Sequence, residues 1–60
     1  MFYVIYNPDT GLYRDEFCNW GQFDKAERFN QPSPVIIANA QRFSEPNARW
    51  VGPCRVGEEP

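Results

Sequence analysis

The sequence predicts a small α+β fold: an antiparallel sheet made of an N-terminal β-hairpin and a C-terminal strand, with one main helix packed on one face. Three observations carry this expectation. Aromatic and β-branched residues from Phe2 to Tyr6 run into Asn7-Pro8-Asp9-Thr10-Gly11 and out through Leu12-Tyr13-Arg14, the pattern of a hairpin. Ser33-Pro34 then introduces apolar residues at helical spacing. Finally, Arg49 to Val56 reads as a strand.

In the hairpin, Pro8 presets φ for the first turn position, and Asn7 and Asp9 can bond nearby backbone. Gly11 supplies the positive φ that lets a four-residue loop rejoin the second strand. With Asn7 facing Leu12, Tyr6 pairs with Tyr13, Ile5 with Arg14 and Val4 with Asp15. One face then carries Phe2, Val4, Tyr6, Tyr13 and Phe17, and its apolar character assigns it to the core. The other carries Tyr3, Ile5, Leu12, Arg14 and Glu16 and becomes a candidate sticky outer surface. A slip of one residue would exchange the two faces.

Cys18-Asn19-Trp20-Gly21 reads as a turn. Asp24 followed by Glu27 resembles a capping box opening a short helical turn, with Phe23, Ala26 and Phe29 pointing inward at helical spacing. Asn30-Gln31-Pro32 interrupts it. The main helix is expected from Pro34 to about Phe43, with Ser33 as N-cap and Pro34 at the first helical position. Ile36, Ala40 and Phe43 form its inner stripe with Ile37 beside it, while Ala38 and Ala40 permit close approach to a sheet. Asn39, Gln41 and Arg42 face water. Ser44-Glu45-Pro46-Asn47 ends the helix. In the last strand Trp50, Cys54 and Val56 share one parity, and Gly52-Pro53 confines the strand to an edge or a bulge. Residues 1–57 form one domain and 58–60 a solvated tail.

The chain has 60 residues, ten of them aromatic, six basic and eight acidic, with no histidine. So short a chain leans on its aromatic side chains for a core. The net charge of −2 and the scattering of Arg14, Lys25, Arg28, Arg42, Arg49 and Arg55 argue against nucleic acid as the main partner. No apolar run reaches membrane-span length, and Met1 leads directly into a strand without a signal-peptide pattern, so a cytoplasmic location is expected. In that compartment Cys18 and Cys54 are expected to be reduced thiols. Oxidised, they would tie the hairpin end to the C-terminal segment.

No catalytic, cofactor-binding or metal-binding residue is predicted. The cysteines have no partner base, Ser33 and Ser44 serve helix ends, and the glycines do not form a phosphate-cradling loop. Of the adjacent carboxylates, Asp15-Glu16 diverge on a strand and Glu58-Glu59 lie on the tail. Two cysteines without histidine do not make a usual zinc site.

The opening half of the chain resembles a loose group of small proteins encoded by tailed bacteriophages and prophages. These begin with a hairpin of the type Tyr-Val-Ile-x-Asn-Pro-x-Thr-Gly-x-Tyr, then a Trp, Lys-Ala-x-x-Phe and a helix. The matching positions are Tyr3, Val4, Ile5, Asn7, Pro8, Thr10, Gly11, Tyr13, Trp20, Lys25, Ala26 and Phe29. Trp50 to Val56 has no counterpart. The resemblance implies an accessory protein that binds a host enzyme or defence complex, anti-CRISPR inhibitors among them.

The expected role is therefore non-catalytic: binding and inhibiting or modulating a bacterial host protein by occlusion, in the host cytoplasm. An aromatic-centred patch with an acidic rim, Tyr3, Asp15, Glu16, Trp20 and Asp24, is the expected protein interface. Trp20 is its anchor, and Trp50 is assigned to the core. The alternatives are a structural or virion-associated protein, or a homodimer, and a weak single-stranded nucleic-acid binder.

Overall fold

A computed structural model of the chain describes residues 1–43 and 45–57, with the backbone alone at Phe43. The hairpin forms where expected: β1 spans Phe2–Asn7 and β2 spans Leu12–Arg14, with Tyr6 facing Tyr13 and Asn7 facing Leu12. Its loop closes as the residue types dictate. The Asn7 carbonyl accepts from Gly11 N at 2.8 Å, the Asn7 Oδ1 accepts from Asp9 N at 3.0 Å, and Gly11 holds φ at 73°.

Beyond Tyr6 and Tyr13 the strands part company. Ile5 does not pair with Arg14, nor Val4 with Asp15. Instead the segment Ala26–Phe29 bonds to both strands: Tyr3 and Phe29 exchange N–H···O bonds of 2.7 and 2.9 Å, and Glu27 N donates to the Arg14 carbonyl at 3.1 Å. A 3₁₀ turn over Phe23–Lys25 precedes this segment. The expected capping box is not used there, since Gln22 sits at the N-cap and no side chain caps the turn. Because the backbone is extended after Lys25, Phe23 and Ala26 pack against one side of the sheet and Phe29 against the other. Helical spacing thus holds from Phe23 to Ala26 and fails at Phe29.

Trp20–Gly21 is a short strand, β3, and not only a turn; it pairs antiparallel with β2. The last strand, β4, covers Arg49–Cys54 and pairs antiparallel with β1. The sheet therefore has four strands in the order β3-β2-β1-β4, with the hairpin's first strand near its middle. The helix α1 spans Pro34–Phe43. Ser33 performs its capping role, its Oγ accepting from Ile36 N at 3.4 Å. Ile36, Ile37 and Ala40 face the sheet, whereas Ala38 is exposed. The Phe43 side chain, Ser44 and the predicted tail 58–60, Glu58 and Glu59 included, lie outside the described residues.

Both faces of the sheet are covered. Phe2, Val4, Tyr13 and Cys54 form one buried cluster, closed by Phe23, Ala26, Tyr6 and Val51. Tyr13 meets Phe23 edge-on at 5.1 Å, and the Arg28 guanidinium lies over the Phe2 ring at 4.6 Å. The helix occupies the opposite face, over Ile5, where Ala40 and Ala48 complete a second cluster with Trp20, Phe29 and Trp50 packed around it. So the face expected to be outward is the one the helix buries, and Ile5 is 1% exposed. The alternating pattern of β1 is apolar on both sides, which is what a sheet covered on both sides requires.

The parity of β4 changes in mid-strand. Val4 faces Val51, but Phe2 faces Cys54, so β4 spends one more residue than β1 between these pairs. The bulge turns Trp50 to the helix face and Cys54 to the other, where a regular strand would have kept them together. Gly52 occupies it with φ 150°, followed by a cis bond to Pro53. Val56 lies past the strand and is exposed.

Candidate functional site

The five residues expected to form one interface sit in different surroundings. Tyr3 is half-buried beside Gly52, and its backbone is taken up by Phe29. Trp20 is half-buried against the cluster of Ile5, Ala40 and Ala48, with the Arg14 guanidinium 5.9 Å from its ring centre. Asp15 shapes the loop that follows it. Its Oδ1 accepts from both Phe17 N and Asn19 N at 2.9 Å, and its backbone bonds to Asn19 and Cys18. Glu16 and Asp24 do come together. Both line a shallow cleft of about 520 Å³ with Lys25, Glu27 and Arg28, three carboxylates against two cations.

The loop tied by Asp15 carries a residue that strand parity had assigned to the core. Phe17 is 75% exposed. Strand β2 ends at Arg14, so alternation stops before Phe17 and the Asp15 turn points it outward. The signal available in the sequence is Asp15 itself, whose short carboxylate can accept from the backbone N–H two residues on and close a loop. The loop is compact enough to hold Cys18 at φ 64°, a region sparsely used by residues other than glycine. Loop 15–19 also adjoins the acidic cleft, because Asp15 bridges to Ala26.

The two thiols are free and differ in access: Cys18 is exposed and Cys54 is buried. Burial pushes the Cys54 thiol above its ordinary value of 9.0, and its Sγ lies 3.8 Å from the Val51 carbonyl. Alkylation of the native protein at pH 8 should therefore modify one cysteine quickly, Cys18, and the second only after denaturant is added. Mass spectrometry of the two products checks this. Since the unfolded Cys54 loses its proton first, its contribution to stability is present below about pH 9 and falls as the pH rises beyond that.

Among the described residues, no group of three or more His, Cys, Asp or Glu is placed to hold a metal ion, and no helix is long and apolar enough to cross a membrane. Compared with known protein families, curated proteins and solved structures, the chain matches none.

Proposed function

We propose that this protein works by stoichiometric, non-catalytic association with another protein, and that Phe17 is the residue that anchors it. The supporting observation is an aromatic side chain 75% exposed on a loop that one carboxylate holds in shape. A buried aromatic anchor dominates many interfaces, and a preorganised loop avoids the ordering cost of seating it. Glu16, beside Phe17, and Asp24 across the adjoining cleft supply an acidic rim. The partner that fits has an apolar pocket bordered by basic residues, and covering that pocket would block it. The resemblance to small phage accessory proteins makes bacterial host proteins, defence complexes among them, the partners to screen first, in the cytoplasm of the host cell.

The test begins with affinity capture from a bacterial lysate and identification of the bound protein. Phe17→Ala should then weaken binding to the purified partner by at least about tenfold with the unfolding midpoint unchanged. Reversing Glu16 and Asp24 to Lys should mainly slow association, and the effect should shrink with added salt. A partner that binds wild type, Phe17→Ala and the double reversal alike would overturn the proposal. Light scattering of the purified protein decides the self-associating alternative directly.

A further inference from the structure

On the helix face a second cleft, of about 260 Å³, lies under α1. Its walls are apolar, formed by Ile5, Phe29 and Ile36, and three polar side chains reach it: Arg14, Glu27 and Asn39. Arg14 is the unusual one. Its Nη1 is buried and finds no hydrogen-bond partner among the described residues, and the guanidinium lies against the Trp20 ring. A buried guanidinium N–H without an acceptor is costly, and a carboxylate entering the cleft would supply one if the side chain swings out to meet it in the plane of the guanidinium. Glu27 is fixed on the same side by its backbone bond to the Arg14 carbonyl, 3.1 Å long. One small apolar space therefore has a cation and an anion at its border.

We propose that this cleft binds a free α-amino acid with an apolar side chain. The carboxylate would meet Arg14, the ammonium Glu27, and the side chain would lie against Phe29 and Ile36. A simple carboxylic acid would gain Arg14 but face repulsion from Glu27, so the pair of charges selects a zwitterion over an anion. The cleft falls just under the usual range of roughly 300–1,000 Å³ for drug-sized ligands, which suits a single amino acid. The expected affinity is modest, with Kd on the order of 0.1–1 mM, because few atoms are buried. The site adjoins the Phe17 loop through Cys18 and shares Glu27 with the acidic cleft, but its occupancy requires no partner protein.

The exposed Cys18 also lines this cleft, which provides a reporter. The full chain is titrated with L-leucine while alkylation of Cys18 by iodoacetamide and backbone amide shifts in a ¹⁵N-labelled sample are followed. Saturating leucine should slow alkylation by at least about threefold, as occupancy shields the thiol. Shifts should concentrate at Arg14, Glu27, Phe29, Ile36 and Asn39. N-acetyl-leucine, which lacks the ammonium, and leucinamide, which lacks the carboxylate, should each bind at least about tenfold more weakly. Glu27→Gln should bring leucine down to the level of N-acetyl-leucine, and Arg14→Lys should weaken it through loss of the planar fork. Should Arg14→Lys fold poorly, Glu27→Gln and the two analogues still decide the matter. Unchanged Cys18 reactivity and amide shifts at 10 mM leucine would overturn the proposal. Equal binding of leucine and N-acetyl-leucine would overturn it too, as would a Glu27→Gln variant that loses stability while leucine has no effect, which would mean that Glu27 serves Arg14 alone.

Discussion

Ile5→Ala should remove a large share of the folding free energy and lower the urea midpoint sharply. Ile5 is 1% exposed, lies in the strand that takes partners on both sides, and supports Ala40 of the helix and Ala48 before β4. Truncating a buried Ile to Ala costs about 2–5 kcal/mol through lost transfer energy and the cavity left behind. A domain of this length commands only about 3–9 kcal/mol in total. Helix α1 is also too short to persist undocked, so the loss should appear as global unfolding and not as local fraying. Urea titration followed by far-UV circular dichroism measures it. Ile5→Val, which removes one methylene, should cost about 0.5–1.5 kcal/mol and remain folded. A midpoint for Ile5→Ala close to wild type would contradict the placement of the helix over this residue.

Gly52→Ala is the second change expected to be severe. A Cβ at this position would lie 2.6 Å from Tyr3 Cδ2 and 3.0 Å from the Phe2 carbonyl oxygen, and the backbone φ of 150° is one that L side chains rarely adopt. The ring could turn aside, but the carbonyl belongs to the paired strand and cannot. Backbone strain of about 1–3 kcal/mol adds to the steric conflict. The expected outcome is a loss of about 2–4 kcal/mol, with β4 displaced from β1. Hydrogen exchange would show it as deprotection of β1 and β4 amides, while Gly21→Ala, where a Cβ meets nothing within 4 Å, serves as the mild comparison.

What could be read in the sequence was whatever a few neighbouring residues decide among themselves. Asn7-Pro8-Asp9-Thr10-Gly11 carries its own turn, and Ser33-Pro34 its own helix start, so the two strand pairs next to the turn and the Pro34–Phe43 helix came out as expected, whereas the two pairs beyond them did not. What escaped were decisions taken between distant segments. Ala26–Phe29 reads locally as a continuation of a helical turn, but Tyr3 and Arg14 offer it backbone partners, and those win. The choice of face for the helix was not local either. Val4 and Ile5 are equally suited to burial, and both are buried, because the 3₁₀ segment covers one side and α1 the other. A bulge of one residue was enough to undo the parity of Trp50 and Cys54. For the candidate site the same division holds: Glu16 and Asp24 line one cleft, whereas the prominence of Phe17 depends on where β2 stops.

The place of β1 between β2 and β4 has a bearing on how the chain is born. The first strand of this sheet to leave the ribosome waits for its outer neighbour until Arg49–Cys54 has been released, and no sequence-local shortcut fills that gap. A nascent chain arrested anywhere before Arg49 lacks Trp50 and Cys54, one plug for each side of the sheet, and leaves the Phe2–Tyr6 edge open to other chains. Completion of this sheet therefore follows synthesis of β4, and premature termination products should be found in aggregates or bound to chaperones.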